Sequence, residues 1–215
     1  MYADYINFKI IQPVDKDTSK EKILSVSELL QRSLIELEID IKERLILILK
    51  LIYPLDKIHA AAFNLQSNSV ATHGRGLEIL EHTITLPKKI KSALLTILDN
   101  QTLEEKLKIL VEAKIVEDKQ LVLSERTRKL LTLENSLSDW CLACCFHFAI
   151  VGRVRLSIVQ ILTNLHHPTG FVREAAFAYL TTASPKIVLD LLPQLEKDPH
   201  PIIKAQVRDF VKKYC

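Results

Sequence analysis

The sequence predicts an all-α fold, a continuous stack of paired helices behind one long N-terminal helix. Three observations predict it. Apolar residues recur at the helical period in nearly every segment, and almost nowhere at the period of two that a half-buried strand requires. Only 4 glycines stand among 215 residues, too few for sheets built on tight turns. The last third of the chain is also self-similar at a spacing of 31 residues, so the architectural unit is a helix pair.

Taken in order, residues 1–18 read as an irregular lead-in and residues 19–215 as a single helical-repeat domain. A long helix is expected from about Lys20 to Tyr53, with a break near residues 37–40. Its apolar positions Leu34, Leu37, Ile41, Leu45, Ile48, Leu49 and Ile52 step by three or four along one face. Pro54 ends it. Leu55 to Leu65 follows, where Ala60, Ala61 and Ala62 permit a close helix contact, and then Val70 to Ile84. Pro87 opens a helix over Lys88 to Leu98. Thr102 with Glu105 forms a capping box for a helix to about Ala113. Leu121-Val122-Leu123 reads as a short extended stretch, after which Ser124 caps a helix to about Leu133. From Ser138 onward five helices are expected, over Asp139–Val151, Arg153–His166, Gly170–Ala183, Pro185–Lys197 and Pro201–Tyr214. The gaps between them are a few residues long, as in antiparallel helical stacks.

The self-similarity runs through the first helix of each pair. Cys141, Val172 and Ile203 occupy one register, Cys145, Ala176 and Val207 a second, and Ala149, Leu180 and Val211 a third. Such a two-helix unit cannot bury both faces alone, whereas stacked copies can. Pro168 and the run Asp198-Pro199-His200-Pro201 stop one helix and set the direction of the next. Arg173 and Lys204, one position past the anchor, are placed to reach an acidic residue such as Asp198 in a neighbouring turn.

The segment His167-Pro168-Thr169-Gly170-Phe171-Val172-Arg173-Glu174-Ala175-Ala176 resembles the signature of HEAT (armadillo-like) repeats, a Pro or Asp turn followed by Val-Arg and small residues. Asp198 through Val207 is a looser copy with Lys204 for the Arg. Asp139 through Cys145 is looser still, with Leu142 at that place. The resemblance implies a right-handed α-α superhelix whose clearest repeats span residues 138–215. A narrower likeness lies in Arg44 through Pro54, Asp56-Lys57-Ile58 with Ala61, and Arg75 through Glu81. These resemble a HEAT segment attached in bacteria to ADP/ATP-translocase-like or major-facilitator membrane domains, often beside cyclic-nucleotide-binding domains. The chain itself has neither, so transport and nucleotide binding are carried over to no residue.

The function these resemblances imply is a non-catalytic scaffold or adaptor whose concave surface binds a protein partner, with a membrane transporter as one candidate. The alternatives they raise are a phycobilin-lyase-like HEAT protein and a HEAT-type nucleic-acid-binding protein or DNA glycosylase. Lys plus Arg number 29 against 26 Asp plus Glu, a formal charge of +3, and acids are interleaved with the basic clusters. Those clusters are Lys88-Lys89-x-Lys91, Arg126-x-Arg128-Lys129, Arg153-x-Arg155 and Lys212-Lys213, and they read as solvated helix faces. A nucleic-acid groove is not expected, and aromatics are only 6%.

The start Met1-Tyr2-Ala3-Asp4-Tyr5 has no signal-peptide pattern. The longest apolar stretch, Trp140 to Val151, is shorter than the about 20 residues that span a bilayer, so no membrane insertion is expected. A cytoplasmic location fits the four cysteines, three of them crowded into Cys141, Cys144 and Cys145. With His147 they offer zinc-like ligand types. Sharing one helix face among Leu142, Phe146 and Phe148, the cysteines read instead as packing residues, with a metal or redox role as the alternative. His166 and His167 read as helix C-terminal residues favoured by the dipole. Gly74-Arg75-Gly76 lacks the third glycine and preceding strand of a dinucleotide site, and Gly76 reads as a close helix approach. No residue is assigned a catalytic, cofactor-binding or metal-binding role, and no cofactor is expected.

Overall fold

The computed structural model describes residues 18–116, 121–133 and 136–214, with side chains from Ser25 onward. Among the described residues there are eleven α-helices and no strand, so the chain is all-α. The helices are α1 (Thr18–Ile52), α2 (Leu55–Leu65), α3 (Val70–Thr83), α4 (Lys88–Leu98), α5 (Leu103–Glu112) and α6 (Leu123–Leu131), followed by α7 (Asp139–Val151), α8 (Ile158–Leu165), α9 (Gly170–Ala183), α10 (Pro185–Leu195) and α11 (Pro201–Tyr214). The expected lead-in over residues 1–18 lies, but for Thr18, outside the described residues.

Several boundaries differ from expectation, each for a local reason. α1 runs without a break, because the acids near its middle support it. Asp40 pairs with Arg44 at 2.7 Å and Glu38 with Lys42 at 3.2 Å, both one turn apart. No strand forms at Leu121-Val122-Leu123. Val122 is instead the N-cap of α6, its carbonyl accepting from the Glu125 and Arg126 amides, which leaves Ser124 inside the first turn. α8 starts at Ile158 rather than Arg153. Arg153 takes a left-handed backbone (φ 49°), and its amide bonds to Ile150 O while the Val154 amide bonds to Ala149 O, which closes off α7. Ser157 and Gln160 then form a capping box for α8. The capping box of Thr102 and Glu105 is present as expected, and Thr102 bonding holds the exposed Glu105 carboxyl below its usual range.

The described backbone forms two compact units, residues 36–116 and residues 18–35 with 121–214. In the first, Leu49 of α1 joins Ile58, Ala61, Leu80, Ile84 and Leu98 in a buried core. Helices α2 and α3 lie closest where Gly76 faces Ala61 and Leu65. A Cβ at Gly76 would stand 3.0 Å from the Ala61 carbonyl and the Leu65 amide nitrogen, so the small-residue contact read from the sequence is what the packing uses.

In the second unit α9 is packed against α7, α8, α10 and α11. Its Val172, Ala175, Ala176, Phe177, Tyr179 and Leu180 are buried. So are Cys141, Cys145 and Ala149 of α7 and Ile203 and Val207 of α11. Rings bridge the helices. Trp140 meets Phe171 edge-on at 6.2 Å, and Phe177 meets Phe210 at 6.5 Å. Tyr179 donates its hydroxyl to Val154 O at 2.9 Å and accepts the Leu156 amide at 3.0 Å, pinning the α7–α8 connection onto α9.

Replacing Ala176 with Glu places a carboxylate at a fully buried position on α9. The expected cost is about 3 kcal/mol or more, seen as loss of the folded baseline in thermal or urea unfolding. Equal midpoints for wild type and variant would contradict the packing described.

Candidate functional site

The second unit carries an open groove of about 380 Å³ between the C-terminal ends of α8 and α10. Its position is fixed by Arg173, in the first turns of α9. The guanidinium donates from Nε to Asp198 Oδ2 at 2.7 Å and from Nη2 to Asp198 Oδ1 at 3.0 Å. Nη1 donates to His167 O at 2.7 Å and to Pro168 O at 2.8 Å. Asp198 also accepts the His200 amide at 2.8 Å. Burial by itself pushes the Asp198 carboxyl up, but the Arg173 hydrogen bonds, the His200 amide and the nearby positive charge together hold it below its ordinary value. The planar fork thus ties the turn before α9 to the turn before α11, the reach expected of Arg173. Lys204, at the matching place on α11, is exposed.

Leu162 and Leu165 of α8 and Leu191 and Leu195 of α10 give the groove apolar walls, and Lys197 and Pro199 border it. His166 donates from Nδ1 to Leu162 O at 2.8 Å, which leaves Nε2 to accept from the Gln194 amide across the mouth. His166 is therefore the C-cap of α8, where the dipole reading put it. His167 lies beside Asp139 and Thr169. Its Nδ1 accepts the Thr169 amide at 3.2 Å, and its Nε2 is 3.9 Å from Asp139 Oδ1. The Thr169 hydroxyl donates to Asp139 Oδ2. An acid, an imidazole and a hydroxyl meet here, yet the hydroxyl bonds the carboxylate rather than the ring. The Thr169–Asp139 bond ties the start of α9 to the start of α7.

Cys141, Cys144 and Cys145 are buried cysteines on α7 outside any disulfide, and His147 is exposed, 3.9 Å from Glu174. A shared hydrogen bond moves two of these thiols in opposite senses: the bond with Cys145 lowers Cys141, and the bond with Cys141, then burial, pushes Cys145 well above its ordinary value. Among the described residues no three His, Cys, Asp or Glu converge as metal ligands. Cys215 lies outside the described residues. Gly74 and Arg75 are exposed on α3, while Gly76 is buried in the α2–α3 contact.

The basic clusters are divided between the two units, and several of their side chains are engaged locally. Lys89 donates to Lys114 O at 2.9 Å, Lys91 to Glu81 O at 3.0 Å, Arg126 to Leu121 O at 2.8 Å and Arg128 to Arg155 O at 2.7 Å. No helix among the described residues is long and apolar enough to cross a membrane.

The chain matches no family model, no curated protein and no solved structure with which it was compared. Whatever the groove does must therefore be argued from its own chemistry.

Two buried basic residues went unnoticed in the sequence, and both belong to the first unit. Lys106 of α5 is only 2% exposed, with Nζ 3.3 Å from Ile97 O and 3.4 Å from Glu38 Oε1. Burial, then the Lys42 charge, brings its pKa down to about 8 against the opposing pull of Glu38. His73 of α3 is also buried, its Nδ1 3.0 Å from Leu65 O and its Nε2 3.4 Å from Asp99 Oδ1 without hydrogen-bond geometry. Both side chains converge on the C-terminal end of α4, where the helix dipole favours cations. The available signal was register. Lys106 falls three residues after Leu103 and four before Leu110, and His73 falls three and seven before Gly76 and Leu80.

Two titrations follow. Asp198→Asn should cost about 3 kcal/mol at neutral pH, because it leaves Arg173 buried against a neutral partner. Since the folded pKa of Asp198 is depressed, its contribution is complete above about pH 4 and fades as pH falls through the folded value. The difference between wild type and variant in urea unfolding should therefore shrink in acid. Lys106 has the opposite sense. From about pH 8 to 10.5 the folded protein has released this proton while the unfolded chain still holds it. Wild type should gain stability relative to Lys106→Met as pH rises through that window, and a flat difference would rule out the buried amine.

Proposed function

We propose that the chain is a HEAT-type scaffold, a right-handed superhelix of helix pairs that works in a reducing cytoplasm and binds a protein partner without catalysing a reaction. One observation carries this reading. Two sets of positions one 31-residue unit apart in sequence, Cys141/Val172/Ile203 and Cys145/Ala176/Val207, are buried throughout. Cys141, Val172 and Ile203 are all buried at matched places on α7, α9 and α11, and Trp140 packs on Phe171, 31 residues on. Polar contacts also join neighbouring first helices, the Thr169 hydroxyl donating to Asp139 and the Gln206 amide to Glu174 at 2.7 Å, 30 and 32 residues apart. Cores used for stacking leave the second helices of each pair, α8 and α10, to line an inner surface, and the groove lies between them.

The groove suits side chains of a protein rather than a reacting small molecule. Its walls are leucines, and the strongest polar groups beside it, Arg173 and Asp198, are satisfied by one another and by backbone. An apolar pocket with its polar groups already paired gives a partner's anchoring side chain a dry seat.

The test is quantitative affinity capture with the wild-type chain and with Leu162→Arg/Leu191→Arg, after confirming that both melt alike. The expected result is a partner enriched by wild type and depleted at least about tenfold with the variant, the loss that follows from a penalty of roughly 1.4 kcal/mol. Equal enrichment would remove the groove from the interface, and stoichiometric turnover of any captured metabolite would remove the scaffold reading.

A further inference from the structure

We propose that two copies of the chain associate through the uncovered apolar face at the C-terminal end of α1. Residues 45–52 read Leu-Ile-Leu-Ile-Leu-Lys-Leu-Ile, with Lys50 the single charge. Ile46, Leu49 and Tyr53 turn toward the core of the first unit. The other side of the same two turns carries Leu47, Ile48, Leu51 and Ile52, continued by Leu55 at the start of α2. All five are exposed, Leu51 at 88% and Ile52 at 65%. A helix that is apolar all round belongs among neighbours on all sides, and here half of it meets none.

Area and charge both point to a second copy as the missing neighbour. The five side chains offer on the order of 500 Å² per chain, so a symmetric pair removes about 1,000 Å² from water, the size at which specific interfaces begin. An isologous contact needs a patch that complements itself, and a strip of leucine and isoleucine does so. Each end of the strip carries both signs, Glu43 with Arg44 at one and Asp56 with Lys57 at the other, so an antiparallel pair sets unlike charges against each other. The Arg44 side chain, 72% exposed, lies one turn before Ile48, and Asp56 follows Leu55. Antiparallel crossing between Ile48 and Leu51 carries Arg44 of each copy to the Asp56 end of the other. A lipid surface is a poorer match, because Glu43 and Asp56 border the strip along with Arg44 and Lys57. The inference is independent of the partner groove, which lies in the other unit.

Light scattering coupled to size exclusion, at micromolar concentration and low salt, reads the mass of the full chain directly. Wild type should run as a dimer and Leu51→Glu as a monomer with an unchanged melting temperature, since Leu51 contributes almost nothing to the core. Arg44→Glu and Asp56→Arg should each weaken dimerisation at least about threefold by the loss of both symmetry-related exposed pairs, and the double exchange should restore it. A monomeric wild type overturns the proposal, as does a dimer that Leu51→Glu leaves intact. Binding of monomeric wild type to phosphatidylserine vesicles would give the face to lipid. Dimerisation seen only after removal of residues 1–17 would give it to the chain's own N-terminal segment. Either result overturns the proposal as well.

Discussion

Helix α9 has almost no apolar face to itself. Val172, Ala175, Ala176 and Leu180 are buried on a helix packed against α7, α8, α10 and α11, and Tyr179 reaches back to the turn after α7. The alanines matter as well as the large residues, because Ala175 and Ala176 are fully buried and a longer side chain there must displace what covers them. Each of these helices therefore completes the core of the next. Damage at α9 is felt in four helices at once, since α7, α8, α10 and α11 all pack on it.

Arg173 and Lys106 show how the same cost, burial of a cation, is met in two ways. Arg173 has its Nε, Nη1 and Nη2 donating at 2.7–3.0 Å to Asp198 and to two carbonyls at the end of the preceding turn. The fixed guanidinium geometry loses little freedom in doing so, and its charge is compensated in place. Lys106 makes two longer contacts, at 3.3 and 3.4 Å, and shares Glu38 with Lys42. Compensation there is partial, so the amine answers by a lowered proton affinity rather than by a fixed bond. The first residue orders a turn beside an open groove, and the second loads a buried helix end with a pH-dependent stability.

Much of the fold was legible because caps are local chemistry. Ser138, the Thr102–Glu105 pair, Pro185 and Pro201 each mark a helix start that depends on one turn of backbone, and α7, α9 and α11 begin and end where their sequences place them. Arg153 was misread because a left-handed backbone is the habit of glycine, and Gly152 stands next to it; the arginine takes the strained place instead. Of the groove, Arg173 and Asp198 were readable from their positions, one residue after Val172 and five before Ile203. The apolar walls were not, since Leu162 and Leu191 become a pair only through the spacing of α8 and α10, which no local pattern encodes. Lys106 was hidden by its type, because a lysine on an amphipathic helix is ordinarily solvated.

The face of α1 shows the limit in its sharpest form. Leu34, Leu37, Ile41, Leu45, Ile48 and Ile52 fall on one stripe with the spacing of a packed seam, and by periodicity alone they are equivalent. Leu34 and Leu37 are buried, while Ile48 and Ile52 stand in the open. Periodicity states which residues share a side and is silent on whether anything lies there. Burial belongs to the neighbour, so an apolar stripe that outruns its own chain's cover carries information about contacts the single chain does not make. In a molecule whose helices complete one another's cores, such an unfinished stripe is the same rule applied one step beyond the boundary of the chain.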